Sequence, residues 1–276
     1  MKKYLSIFNF QTVSVISLSL ISAYICALYQ FSIYFDFLIL NFIIIFPLTF
    51  SLGMALKRRE KAIQFLSLFK ASLQSVYYGF QKSKLDIDQK AAFRKIAENL
   101  STQLINYLAS GSGNATAVRE ASHSIFTFTR DNKGSIKSSF SIKVSLFLFR
   151  MNESIEFLLA TRIHRTPWGP RAISLFGIYF FALFYPASLI HDIGTGNVNF
   201  LYVFLSTASK TFILISFYNV QALLENPFNQ KGTDGIKLDD FNFFRGINLI
   251  EEIAPPPAIA DIETVTLLDS ANDDEV

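Results

Sequence analysis

The chain has 276 residues, of which 51% are hydrophobic and 15% aromatic, while only 17% are charged. An average soluble domain carries about 25% charged residues, so this composition excludes an ordinary water-soluble enzyme, and thirty Phe with only twelve Gly exclude a collagen-like or nucleic-acid-binding chain. The single cysteine, Cys26, excludes a disulfide framework and a cysteine-based zinc site.

Four apolar segments are long enough to cross a bilayer, which takes about 20 residues. The first two lie within residues 10–56, where Asp36 is the only charged residue, and they predict a transmembrane hairpin. The other two lie within residues 172–224, separated by a polar turn that begins at His191 and Asp192, and Lys210 is the only charge inside the fourth segment. A cleaved signal peptide is the disfavoured alternative for the first segment, because the apolar run is too long and a second one follows at once.

Lysine and arginine concentrate on one side of these segments. Residues 57–171 contain nineteen Lys and Arg against eight Asp and Glu, whereas the eight acidic residues after Arg245 meet no base. The positive-inside rule then places both termini and the basic middle segment in the cytoplasm. We divide the chain into a cytoplasmic N-terminus (1–9), transmembrane hairpin 1 (10–56), a basic helical domain (57–171), transmembrane hairpin 2 (172–224), a post-helix cytoplasmic segment (225–247) and an acidic tail (248–276).

The sequence lacks the common catalytic and phosphate-binding motifs. Its three histidines, His123, His164 and His191, are scattered along the chain. We therefore expect no metal, no cofactor and no enzymatic activity.

The second apolar segment carries a periodic stripe. Phe46, Phe50 and Met54 recur every four residues and fall along one side of a helix, with Thr49, Ser51 and Gly53 expected beside them. This spacing alone is more typical of a lipid-facing or packed face than of a pore. Around a symmetry axis, however, the three side chains would form an apolar constriction that gates by dewetting.

Three short motifs resemble those of the bestrophin family. Residues 46–54, Phe-Pro-Leu-Thr-Phe-Ser-Leu-Gly-Met, are similar to the pore-helix motif, with Pro47, Thr49 and Gly53 at its characteristic positions. The entry to the third segment, Arg165-Thr166-Pro167, and the sequence after the fourth, Asn226-Pro227-Phe228, resemble two further family signatures in the same order.

The resemblance implies an all-α membrane protein of four transmembrane helices in two hairpins with a helical cytoplasmic domain. It also implies a homopentamer with one axial pore for chloride or other small anions, whose neck is lined by Phe46, Phe50 and Met54. Calcium activation is not expected, because residues 229–234 after the Asn-Pro-Phe signature hold a single carboxylate, Asp234.

Several alternatives remain open at this point. A cation-conducting homologue, or a non-conducting scaffold whose basic domain recruits an acidic partner or lipid, fits the same patterns. Lys210 costs at least about 2.5 kcal/mol at the bilayer centre, and it either pairs with a carboxylate or helix-end carbonyls or attracts anions towards the pore. Pro227 and Phe228 are expected to end the fourth helix and lock the architecture.

Overall fold

The computed structural model describes residues 9–110, 114–135, 138–164, 167–194, 199–229 and 235–243. Every regular element in these ranges is helical, which confirms the predicted all-α class. Two short 3-10 helices cover Lys133–Ser135 and Leu238–Phe241. The α-helices are α1 (Phe10–Leu28), α2 (Phe37–Gln81), α3 (Ile87–Ser110), α4 (Ala115–Asp131), α5 (Ser138–Ile163), α6 (Trp168–Ile193) and α7 (Phe200–Leu224).

Four regions of helix in the described residues are long and apolar enough to cross a membrane. Three belong to α1, α2 and α7, and the fourth lies within Phe140–Ile193, a range that includes α5 and α6. We assign the span to α6, because residues 172–190 carry no charge whereas α5 carries charges such as Lys143, Arg150 and Glu153. The chain is an integral membrane protein.

The membrane bundle consists of α1, α6, α7 and the first half of α2. Its core includes the fully buried side chains of Val15, Ile44 and Ile178. Helices α6 and α2 pack closely at Gly177, where an added methyl group would lie 2.5 Å from Cγ1 of Ile44. The absence of a side chain at Gly177 therefore sets how α2 seats on α6.

The second half of α2 belongs to a separate core. The helix continues unbroken to Gln81 across residues 56 and 57, where the sequence divides the first hairpin from the basic domain. At 1.5 Å per residue the 45-residue helix is about 68 Å long, roughly twice the bilayer core. Its distal half packs on α3 and α5, and the rings of Phe65 and Phe157 stack at 3.9 Å between centroids.

This second core, which we call the helical body, also buries the segment that follows α7. Phe228 and Phe243 are both fully buried in it. The backbone N–H of Ile236 donates to the carbonyl of Pro227 at 3.0 Å. The chain that leaves the membrane bundle is thereby anchored to the helical body.

Candidate functional site: the exposed face of α2

The membrane half of α2 has one buried and one exposed side. Its first turn is capped by Asp36, whose carboxylate accepts a hydrogen bond from the N–H of Leu38 at 2.9 Å. Ile44 and Ala55 are buried at 0% exposure. Phe46 and Phe50 are 68% and 59% exposed on the other side.

The predicted neck residues occupy this exposed side to different degrees. At about 100° per residue, a step of four residues rotates the side chain by about 40°, so Met54 is turned about 80° from Phe46. Met54 is accordingly half-buried, while Phe46 and Phe50 are exposed. Lys57, eleven positions after Phe46, returns to within about 20° of it.

Two shallow grooves run along the exposed side. One, about 380 Å³, extends from Leu38 to Thr49, and the other, about 330 Å³, extends from Phe46 to Lys57. We call them the outer and the inner groove after the orientation that the positive-inside rule predicts. Both are lined by Phe46 and Thr49, so they form one continuous surface, which we call the α2 face. From Leu38 to Lys57 this face measures about 30 Å, the thickness of the hydrocarbon core.

The motif residues around the stripe lie in different environments. Thr49 is exposed on the α2 face, and Pro47 is half-buried inside the helix. A methyl group at Gly53 would meet no atom within 4 Å in the protomer. Ser51 was expected beside the stripe, and this expectation is wrong: its side chain is buried at 4% exposure, because five positions place it about 140° from Phe46.

From the sequence, the basic run Lys57-Arg58-Arg59 is expected to orient the spans and contact anionic lipid, with a role in raising the local anion concentration below the neck as the alternative. Gly177 is not singled out by any sequence pattern. The helical period assigns Lys57 to the α2 face, a signal present in the sequence. The contact of Gly177 with Ile44 joins positions more than 130 residues apart, and only the tertiary structure reveals it.

Lys210 contacts a tyrosine of the neighbouring helix. Its Nζ donates a hydrogen bond to Oη of Tyr185 at 2.5 Å and lies 4.6 Å from the centroid of the same ring. The observed partner is therefore a phenol, rather than the carboxylate or helix-end carbonyl expected from the sequence. Lys210 lines neither groove of the α2 face.

The two remaining motifs border the membrane bundle. Pro167 directly precedes α6, whereas Arg165, Thr166 and residues 230–234 lie outside the described residues. Asn226 accepts a hydrogen bond from Nη1 of Arg162 at 2.9 Å, which ties the end of α7 to the end of α5.

Among the described residues, no group of three or more His, Cys, Asp or Glu side chains is arranged to hold a metal ion. His191 lies beside Asp192, with Nδ1 3.7 Å from Oδ1.

Solved structures with the same architecture include those of a bacterial bestrophin homologue. A bacterial bestrophin homologue from Klebsiella pneumoniae, in a variant with a tryptophan replaced by alanine, superposes with a TM-score of 0.73 at 13% identity, covering 87% of this chain and 96% of that one. A variant of the same homologue with a leucine replaced by threonine gives a TM-score of 0.70 at 12% identity, covering 89% and 98%. A structure described as a membrane protein with a serine-to-alanine substitution gives 0.72 at 13% identity, covering 90% and 98%.

No family model and no curated protein matches the chain. The structural likeness confirms, at the level of the fold, the resemblance stated from the motifs. The chain has the bestrophin fold, with four membrane-spanning helices and a helical body.

Proposed function

We propose that this chain is the subunit of an oligomeric ion channel, a homopentamer, in which the α2 face of each copy lines one axial pore. The observation that carries the proposal is the continuous α2 face, which is exposed in the protomer and as long as the membrane core. Asn41, Thr49 and Lys57 line its grooves, and such polar groups are costly against lipid. Contact with further copies of the chain and with water in a narrow pore solvates these polar groups at a lower free-energy cost than contact with lipid.

The neck consists of Phe46, Phe50 and Met54. The side chains of Phe46 and Phe50 are both exposed on the α2 face, so five copies of each around an axis form an apolar constriction. Such a constriction blocks ions by expelling water and conducts once it widens or wets. Met54 is flexible and polarizable, so its five copies around the axis form a third, more deformable level of the constriction.

The selectivity we propose is for chloride and other small anions. The edges of phenylalanine rings are electropositive, which favours a passing anion over a cation. Lys57 lies on the same face just beyond Met54 and lines the inner groove, so it raises the local anion concentration next to the neck. We place this end in the cytoplasm, together with both termini, from the distribution of Lys and Arg.

Reconstitution in planar bilayers tests the proposal. A tenfold chloride salt gradient separates the equilibrium potentials of cation and anion from zero by about 59 mV each, in opposite directions. An anion channel reverses close to the chloride potential. A reversal close to the cation potential contradicts anion selectivity and favours the cation-conducting alternative. No current at any potential contradicts the channel itself and favours a scaffold.

Charge variants of Lys57 test the source of selectivity. Two unit charges about 8 Å apart in water interact by about 0.5 kcal/mol, which raises the local concentration of an anion about twofold and lowers that of a cation about twofold. Because the two effects multiply in the permeability ratio, Lys57→Gln should lower the anion-to-cation permeability ratio about fivefold, and Lys57→Glu about thirtyfold. Arg130→Gln removes an exposed charge of α4 and serves as the control. A ratio that stays constant in both Lys57 variants would remove Lys57 from the permeation path.

A further inference from the structure

A second site lies at the inner boundary of the membrane bundle. A cavity of about 470 Å³ opens where α2, α3, α5, α6 and α7 meet, on residues that do not line the α2 face. Three guanidinium groups and a single carboxylate line it. The lining residues are Arg58, Tyr107, Thr161, Arg162, Ile163, Arg171, Ala222, Glu225 and Asn226.

One arginine of this cavity is matched by an acid. Nη1 of Arg171 donates to Oε2 of Glu225 at 2.7 Å, and its Nε donates to Oη of Tyr218 at 3.0 Å. The Arg171 side chain is 27% exposed and that of Glu225 only 10%. This pair joins the start of α6 to the end of α7 and is close to neutral.

A second arginine serves a helix end. Nη2 of Arg58 donates to the backbone carbonyls of Thr161 and His164, at the C-terminal end of α5. A helix C-terminus carries a partial negative charge equivalent to about half an electron. Arg58 thus holds α5 against α2 and keeps a positive group beside the cavity.

Among the three arginines of the cavity, Arg162 has a neutral acceptor rather than a carboxylate or a helix C-terminus as its partner. The bond from its Nη1 goes to the amide oxygen of Asn226, which is a neutral acceptor. The carboxylate of Glu225 is engaged by Arg171. The planar guanidinium has five N–H donors, so its fork retains donors beyond Nη1 with which to bind an anion.

We infer that this cavity binds a phosphate-bearing anion, a phosphate monoester or diester, through Arg162 with Arg58 and Arg171 beside it. Guanidinium groups match phosphate oxygens in bidentate geometry. The volume lies within the range of about 300–1,000 Å³ that is usual for small-ligand sites. Two sources provide this chemistry at this depth: the headgroup of an anionic lipid and a free phosphate compound.

The position of the site gives the ligand a structural consequence. Its walls come from the end of α5, the start of α6 and the end of α7, so a bound phosphate would tie the membrane bundle to the helical body. Ligands that bind only the folded state stabilise it by mass action. We therefore expect occupancy to raise the melting temperature of the protein, independently of any ion current.

Binding to the purified full-length chain in detergent tests the inference. The probes are dioleoylphosphatidylglycerol and inorganic phosphate, with zwitterionic dioleoylphosphatidylcholine as the lipid control. A lipid site retains phosphatidylglycerol over phosphatidylcholine in native mass spectrometry, and millimolar phosphate does not displace it. If the site binds free phosphate, inorganic phosphate raises the melting temperature of the protein, and the protein shows no preference between the two lipids. If neither probe binds, the inference is overturned.

Two variants test the location of the site, and a third variant serves as the control. Arg162→Gln keeps a donor for Asn226 but removes the charge, and it should weaken binding of the active probe at least tenfold. Ala222→Glu introduces a carboxylate into the cavity and should abolish binding while the melting temperature of the probe-free protein holds or rises. Arg130→Gln, outside the cavity, should bind as the parent does. Parental affinity in Ala222→Glu, or in a folded Arg162→Gln, would overturn the assignment.

Discussion

Replacing Gly177 with alanine should destabilise the membrane bundle, because the new methyl group has no room. It would lie 2.5 Å from Cγ1 and 3.2 Å from Cδ1 of Ile44, and carbon atoms pack at about 3.5–4.0 Å. Relief requires α6 to move away from α2 or Ile44 to leave its rotamer. Overpacking of this kind typically costs about 1–3 kcal/mol.

Gly53→Ala is the matched control for this substitution. Both glycines lie inside helices, so both variants gain the same helix propensity of about 0.8–1 kcal/mol. A methyl group at Gly53 has no neighbour within 4 Å in the protomer. The difference in unfolding free energy between the two variants therefore isolates the clash and should be about 1–3 kcal/mol.

A double-mutant cycle with Ile44→Ala completes the test. Truncation removes the two clashing atoms and leaves only Cβ, which is 3.8 Å from the new methyl group and in ordinary contact. The destabilisation by Gly177→Ala should then largely disappear in the Ile44→Ala background, a coupling of at least about 1 kcal/mol. Unfolding in mixed micelles, followed by circular dichroism, measures all four proteins. Equal stability of Gly177→Ala and Gly53→Ala, or additivity in the cycle, would refute the proposed seating of α2 on α6.

Three further predictions concern the neck, the intramembrane lysine and a surface ion pair. Phe50→Ala should increase leak current by removing one ring of the apolar constriction, and unchanged conductance and gating would place Phe50 outside it. Lys210→Met should leave conductance and reversal potential as in the parent, because Tyr185 holds the ammonium group; a changed reversal potential would return Lys210 to the permeation path. The guanidinium of Arg119 lowers the pKa of Glu156. The pair therefore stabilises the helical body at pH values above the ordinary pKa of glutamate, and this stabilisation is lost as the pH falls through the lowered pKa. Arg119→Gln should flatten that part of the stability profile, and an identical profile would show that the pair contributes nothing.

Much of the fold could be predicted because helical periodicity and apolar length are local properties. The lack of charge from 37 to 56 predicts a span, and the spacing of Phe46 and Phe50 predicts a shared side, which the structure exposes. The far end of α2 could not be predicted in this way. Charged residues such as Lys57 and Lys61 end a membrane-compatible run but are good helix formers, so the helix leaves the bilayer without a break.

The contacts that could not be predicted from the sequence join residues that are far apart along the chain. Arg162 meets Asn226 across 64 positions, and Arg58 meets the end of α5 across more than 100. No periodicity connects such positions. Each arginine taken alone resembles a topology signal next to a span, and only the assembled bundle shows that they share a cavity.

The exposed sides of α2 and α6 are both apolar, but they differ in the polar groups that they carry. The exposed side of α6 includes Ile173, Phe176 and Leu183, which lie on the side of one apolar helix. The α2 face has the same exposure but adds Thr49 and, at its inner end, Lys57. Lipid tolerates the first pattern at no cost, whereas the hydroxyl and ammonium groups of the second need polar partners or the bilayer interface. In the proposed channel, assembly through α2 with α6 towards the lipid gives both faces a favourable environment.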